Sequence, residues 1–183
     1  MRFDDVQGYK NRIKQVLITQ EEIEREVKRA AGYIDSLYDG KPIMLVGILK
    51  GSFVFLADVC KRVSVPCELG FMCVKSYFDG TDPSGEVRIV MDLDRDISNY
   101  HVVICEDIID TGRTLAKLKK MLGERKPLSL DIITLLDKPE RREAEIKADL
   151  SLFTIPDKFV IGYGLDCAEY YRNLPYIAVY SEE

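Results

Sequence analysis

The segment from Val102 to Leu115 constrains this chain more than any other. Val102, Val103, Ile104 and Cys105 form a short run rich in β-branched residues that ends abruptly in Glu106 and Asp107. After Ile108 and Ile109 comes a turn of small, hydroxylated and charged residues, Asp110-Thr111-Gly112-Arg113-Thr114. It opens into Leu115, Leu118, Met121 and Leu122 at helical spacing. The pattern predicts a strand, a loop and a helix N-terminus in succession. Such a loop offers backbone N–H groups, the hydroxyls of Thr111 and Thr114 and the Arg113 guanidinium to a phosphate. The acidic pair just ahead of it suits hydroxyls or a metal-bound sugar. Phosphate and sugar recognition side by side point to a phosphorylated ribose. Acids at a strand end and a Thr-Gly turn are each common alone. Their union with a third acid in one βα unit gives the motif its weight.

The rest of the chain predicts the sheet this unit needs. Thr19-Gln20-Glu21-Glu22 is a capping box, and Ile23, Val27, Ala30, Ala31, Ile34 and Leu37 then form one apolar helical face. Asp39-Gly40-Lys41-Pro42 stops that helix. Residues 43–49 form a nearly continuous apolar run, as expected for a strand covered on both faces. Lys50-Gly51-Ser52 is a turn, and 53–63 is expected to be a second helix. Further strands are expected at 69–75, 87–91, 130–136, 150–155, 159–162 and 177–180. Segment 78–86, rich in Asp, Gly, Pro and Ser, is expected as a mobile loop joining a hairpin. Strands alternating with helices imply a parallel sheet wound on both faces, with ligands beyond the C-terminal ends of its strands. Loops 49–51, 106–114 and 137–138 should therefore converge on one rim.

Composition narrows the function classes. With 183 residues the chain is expected to form one domain, long enough to bury roughly two-thirds of its unfolded surface. A net charge of −5 argues against broad electrostatic binding to nucleic acid or acidic membranes. It leaves room for a phosphorylated substrate, because a local nest and a divalent cation override the global sign. No apolar run approaches a membrane span, and Met1-Arg2-Phe3-Asp4-Asp5 is not a signal peptide. The five cysteines include no Cys-x-x-Cys pair. Cys60, Cys67, Cys73 and Cys105 lie among apolar neighbours, which predicts reduced core thiols and a cytoplasmic protein. The single histidine, His101, precedes a strand and is expected to be structural. There is no Gly-x-x-x-x-Gly-Lys-Ser/Thr, and Gly162-Tyr163-Gly164 lacks the third glycine of a dinucleotide loop.

The 106–114 motif resembles the signature with which phosphoribosyltransferases hold 5-phosphoribosyl-1-pyrophosphate. Further motifs follow in family order from Val46 to Tyr180, and they are similar to those of the purine enzymes acting on hypoxanthine and guanine. The resemblance implies a doubly wound α/β core of type I phosphoribosyltransferase form, with a small hood lobe from the N- and C-terminal segments. It implies a reaction in which a nitrogen of the purine's five-membered ring attacks the anomeric carbon and pyrophosphate leaves. Catalysis then comes from positioning, leaving-group neutralisation and proton management.

By resemblance, Glu106 and Asp107 hold the ribose hydroxyls, directly or through Mg²⁺, Asp110 to Thr114 cradles the 5′-phosphate, and Ile108 and Ile109 between them also contact the substrate. Asp110 lies near the purine's imidazole nitrogens as general acid/base; a structural N-cap is its alternative reading. Leu49-Lys50-Gly51 corresponds to the pyrophosphate loop, with a cis peptide before the lysine. Ser76 and Tyr77 begin the lid, although Phe78-Asp79-Gly80-Thr81 carries less glycine than many relatives. Lys138 corresponds to the donor to the 6-oxo group, with a solvated charged loop as the alternative. Phe159 corresponds to the aromatic that stacks on the base, flanked by Lys158 and Val160, with a core phenylalanine as the alternative. Asp166 lies near a second metal and the purine 2-position. Arg172 grips pyrophosphate, with a plain surface charge as the alternative. Cys167 departs from a commoner aromatic, which leaves acceptance of xanthine open. A homodimer or homotetramer is implied by resemblance only. Two rivals stand beside this reading. A regulator on the same fold that senses a nucleotide and binds RNA requires a clustered basic surface. Adenine and pyrimidine enzymes share the ribose motif without the Lys138 and Phe159 arrangement.

Overall fold

The computed structural model of the chain describes residues 12–77 and 86–181. Strand β1 (Ile13–Ile18) leads into α1 (Gln20–Tyr38), β2 (Ile43–Leu49), α2 (Phe53–Cys60), β3 (Cys67–Tyr77) and β4 (Glu86–Met91). β5 (His101–Ile109), α3 (Arg113–Glu124), β6 (Ser129–Asp137), β7 (Leu150–Thr154), β8 (Val160–Ile161) and β9 (Ile177–Tyr180) follow. Six strands form one sheet in the order β4-β3-β2-β5-β6-β7. All its neighbours pair in parallel except the antiparallel β3–β4 hairpin. The strand order reverses between β2 and β5, the point at which such sheets open a ligand crevice.

Alternation along the buried strands builds two core layers. Leu45, Val103, Cys105, Ile133 and Leu135 pack toward α1 and α2. Met44, Val46, Ile104 and Ile132 pack toward Leu115, Leu118 and Leu122 of α3. β1, β9 and β8 form a separate antiparallel sheet of three strands, the hood expected from the chain's two ends. Ile18, Val160, Leu165 and Ile177 seat it on the α1–α2 side of the core.

The capping box of α1 is present, with Glu22 N–H donating to Thr19 Oγ1 and Thr19 N–H to Glu22 Oε2. Leu37, expected on the buried face, is 43% exposed, and Tyr38 takes the buried position instead. The Tyr38 hydroxyl donates to Asp131, and its ring lies 5.2 Å from His101. His101 in turn bonds Ser129, a structural role as expected. α2 is shorter than expected, because Asp35 Oδ1 accepts the N–H groups of Ser64 and Val65 and draws the chain into a turn. β1 had no expectation from sequence. It is an edge strand with only Ile18 fully buried, so it shows no clean alternation. All five cysteines are free, but only Cys105 is buried; Cys60, at the end of α2, and Cys67 and Cys73, in β3, are partly exposed. No helix among the described residues is long and apolar enough to cross a membrane.

Candidate active site

β5 delivers its acids and the following loop to the open C-terminal rim. Gly112 caps α3 in the left-handed region at φ 79°, with no side-chain cap on the helix. A Cβ there would strike Ile146 and press on Arg142, so the turn admits only glycine. The loop is stitched from outside: Glu143 and Ala144 donate backbone N–H groups to Thr111 O at 2.9 and 3.1 Å. Arg142 bonds the Asp137 carboxylate and reaches Ile109 O, bracing the loop against the end of β6. The resulting cleft of about 240 Å³ is lined by Glu106, Asp107, Ile108, Asp110, Thr111 and Thr114 on one side, with Leu49 and Gly51 opposite. Ile109 also faces this cleft. Arg113 departs from expectation. Its guanidinium lies 2.5 Å from Glu143, so the cation offered to a phosphate is engaged on the outer side of the loop.

Glu106 and Asp107 sit side by side at the base of this cleft. Glu106 Oε2 is sealed from solvent with no hydrogen-bond partner among the described residues. Burial pushes both carboxyls above the ordinary carboxylate range, and the adjacent Asp107 raises Glu106 further. Gly51 packs directly on Asp107, where any Cβ would collide with the carboxylate. The peptide bond between Leu49 and Lys50 is cis, as the resemblance implied. Lys50 Nζ lies 3.0 Å from Glu169, and Glu169 lies 3.2 Å from Arg172 Nη2, so one carboxylate bridges two cations. Lys50 and Arg172 hold the Glu169 carboxyl below its usual range. Arg172 Nη2 also sits 2.8 Å from Asp166 Oδ1. Arg172 is thus built into the site and is no loose surface charge. Among the described residues no group of three His, Cys, Asp or Glu side chains is placed to hold one ion. The Glu106–Asp107 pair and Asp166 are therefore separate stations.

A second pocket adjoins the first. Ile108 and Asp110 line both, and Lys138, Phe159, Val160, Leu165 and Asp166 complete the second. Lys138 is only 5% exposed, which sets aside the solvated-loop reading; its backbone N–H donates to Ile109 O at 2.9 Å. Phe159 is 56% exposed and rests edge-on against Tyr180, so it is not a core residue. Asp110 does not cap α3, since Gly112 holds that position. Its Oδ1 lies 3.0 Å from Arg141 Nε. Arg141 and Asp157 belong to this pocket and were not anticipated: Asp157 stands 3.8 Å from Lys138 Nζ and 3.6 Å from Arg141. The signal was Arg141 three residues after Lys138, hidden in a run of charges. Lys158 is not brought to the pocket; it lines a depression with Lys14 and Gln15 on the far side of Phe159. The backbones of Ser76 and Tyr77 pair with Val87 and Glu86 at the end of the hairpin. The rest of the lid that these two residues were expected to begin, 78–85, lies outside the described residues.

Known proteins are similar to this chain in sequence and in fold. Residues 15–168 match the phosphoribosyl transferase domain. The hypoxanthine-guanine phosphoribosyltransferase of Streptococcus pneumoniae R6 is 50% identical over 94% of this chain and 96% of its own length. Its namesake in Staphylococcus aureus Mu50 is 48% identical over 94% and 97%. A crystal structure of a Staphylococcus aureus hypoxanthine phosphoribosyltransferase superposes with a TM-score of 0.90 at 46% identity, covering 98% of this chain and 97% of that one. A hypoxanthine-guanine phosphoribosyltransferase from Bacillus anthracis gives 0.89 at 43%, covering 92% and 99%. With most of its length matched by the domain and about half its residues shared with such relatives, this chain belongs to the phosphoribosyl transferase family.

Proposed function

We propose that the protein is a purine salvage transferase that joins hypoxanthine or guanine to 5-phosphoribosyl-1-pyrophosphate, giving the nucleoside monophosphate and pyrophosphate. The observation that carries this reading is Asp110, which borders both the phosphate-side cleft and the pocket of Lys138 and Phe159. The bond between base and sugar has to form where those two spaces meet. There the ring nitrogen attacks the anomeric carbon, the bond from that carbon to pyrophosphate oxygen breaks, and the imidazole proton passes to the Asp110 carboxylate. The charge develops on carbon with no covalent partner on the protein, so alignment supplies much of the rate.

Each remaining residue has a place in this reading. Loop 110–114 receives the 5′-phosphate through backbone donors and threonine hydroxyls. Lys50, Gly51 and Arg172 receive the leaving pyrophosphate, in the position Glu169 bridges in the free chain. Buried Lys138 donates to the 6-oxo group, an acceptor that adenine lacks. Phe159 offers its exposed ring to the base, Val160 its backbone, and Asp166 faces the 2-position. Glu106 and Asp107 fit Mg²⁺: their oxygen donors suit a hard cation, one of them is buried without a partner, and Mg²⁺ takes few protein ligands beside substrate oxygens. The ion would bind the donor's hydroxyl oxygens and neutralise charge on its pyrophosphate. A cytoplasmic location accords with five unpaired thiols. A homo-oligomer accords with the uncovered apolar side chains of Leu69, Phe71 and Met91 near one sheet edge.

A turnover panel of purine and pyrimidine bases with the donor and Mg²⁺ tests the reading. Hypoxanthine and guanine are expected to be used well and adenine and uracil poorly. Adenine or uracil outperforming hypoxanthine would overturn the base assignment.

A further inference from the structure

The hood meets the pyrophosphate loop through one unusual turn. Gly162, Tyr163 and Gly164 all have positive φ, at 98°, 48° and 101°. The two glycines are required by crowding, since a Cβ would strike Tyr176 O at the first and Gly51 O at the second. Tyr163 is not required on that ground, and a side chain in the left-handed region is unfavourable compared with a third glycine. What tyrosine adds is reach. Its hydroxyl donates to Asp58 Oδ2 of α2 at 2.7 Å, across 105 residues of sequence, and the residue is only 5% exposed.

Both ends of this bond are tied to the leaving-group station. On one side, Gly164 N–H donates to Arg172 O at 2.9 Å and Arg172 Nη1 donates back to Gly164 O at 2.8 Å. Tyr163 N–H meanwhile donates to Leu174 O at 2.8 Å. On the other side, α2 grows directly from the loop: Ser52 Oγ donates to Ile48 O at 2.8 Å and Phe53 N–H to Lys50 O at 3.4 Å. Apolar packing of Val160, Leu165 and Ile177 seats the hood on the core without direction, and the Lys50–Glu169 pair is exposed, so Gly164 pressing on Gly51 O is one buried, directional point of contact between the halves. The Tyr163–Asp58 bond is the second point. Together they fix the angle at which Arg172 faces Lys50 and Gly51.

We propose that the Tyr163–Asp58 hydrogen bond is a latch that positions Arg172 against the Lys50–Gly51 loop, making both residues positioning residues for the pyrophosphate half of the reaction. The proposal rests on the function given above. It predicts a selective effect with hypoxanthine, because Lys138, Phe159 and Val160 lie outside the 162–172 turn, while Asp166, within it, faces the 2-position that hypoxanthine leaves unsubstituted.

The test compares Tyr163→Phe, Asp58→Asn and Asp58→Ala with the wild type in two measurements. Calorimetry of magnesium pyrophosphate binding to the free protein reads the station without turnover, and steady-state kinetics separate the KM of donor and base from kcat. Tyr163→Phe removes only the hydroxyl and is expected to weaken pyrophosphate binding and raise donor KM at least about fivefold, with hypoxanthine KM and kcat within about twofold. Asp58→Asn keeps an acceptor and should stay near wild type, whereas Asp58→Ala should follow Tyr163→Phe. If Tyr163→Phe does not fold, the Asn and Ala pair at position 58 carries the comparison. The proposal is overturned if the hydroxyl's removal leaves pyrophosphate affinity unchanged, or if it weakens pyrophosphate and base alike, the pattern of general loosening. A wild type that binds pyrophosphate but does not use hypoxanthine would sink the base assignment and leave the latch to be judged by calorimetry.

Discussion

Two carboxyls side by side at the buried end of β5 are unfavourable for folding once they ionise, and the pH dependence follows from that. Burial raises the folded-state pKa of both Glu106 and Asp107. Below the unfolded-state pKa, near 4, both states are protonated and the pair contributes nothing. As pH rises through the interval between the unfolded and folded values, the unfolded chain ionises first, so the pair becomes progressively destabilising. Glu106→Gln is therefore expected to raise the Tm of the metal-free protein at pH 8, with the gain vanishing by about pH 4. If the pair holds Mg²⁺ as proposed, the same substitution should weaken donor binding in the presence of Mg²⁺ at least about tenfold, as one charged contact is lost. Thermal melts across pH together with donor titrations check both halves; a variant less stable than wild type at pH 8 would show that Glu106 is satisfied in the free protein. At this scale the sequence showed the acids but not their partners. Asp110, Lys138 and Arg172 were legible because each stands in a family motif. Arg141 and Asp157 were not, since a salt bridge between a strand-end loop and a distant turn has no local signature. Arg113 was misplaced for the same reason, its partner Glu143 lying beyond β6.

The βα unit at β5 and α3 shows how an element serves the chemistry. Its loop is held by Gly112, whose backbone conformation and crowding both exclude a side chain. Gly112→Ala brings left-handed strain of about 1–2 kcal/mol, and overlap with Ile146 and Arg142 adds to it. A total near 2 kcal/mol corresponds to a fall in Tm of roughly 4–8 °C for a chain of this size. Because the distortion falls on the loop proposed to cradle the phosphate, donor KM should rise about tenfold or more while base KM changes little. Calorimetric melts and paired KM values check this; loss of stability with an unchanged donor KM would mean that the loop does not hold the phosphate. β2, β5 and β6 were legible as elements because strands buried on both faces carry near-continuous apolar runs. The end of α2 was not, because Asp35 on α1 sets it from outside the helix. β1 escaped notice because an edge strand exposing three consecutive residues has no period to detect.

At the scale of the whole molecule, the meeting of loops 49–51, 106–114 and 137–138 on one rim was legible from strand–helix alternation alone, because parallel topology leaves no other place for them. The hood was expected from the family resemblance alone, since β1 pairs with β9 from the opposite end of the chain and no local pattern encodes that pairing. This division separates the two halves of the ligand. The stations proposed for the 5′-phosphate and ribose belong to the core sheet, whereas Phe159, Val160 and Asp166, proposed for the base, belong to the hood or the turn that follows β8. A ligand of the core alone and a ligand spanning both should therefore differ, but the difference is not in Tm. At a hundredfold excess over its own Kd, any ligand specific for the folded state adds about 2.7 kcal/mol, so ribose 5-phosphate and IMP at matched saturation raise Tm alike. The discriminating quantity is where amide exchange slows, because local openings are suppressed only in elements the ligand touches. Ribose 5-phosphate is expected to protect residues 106–116 and leave β8 and β9 at their free rates. IMP should protect the same loop and, in addition, β8, β9 and the 162–172 turn. Equal exchange in the hood with either ligand would mean that the base does not reach Phe159, and that the pocket around Lys138 serves some other group.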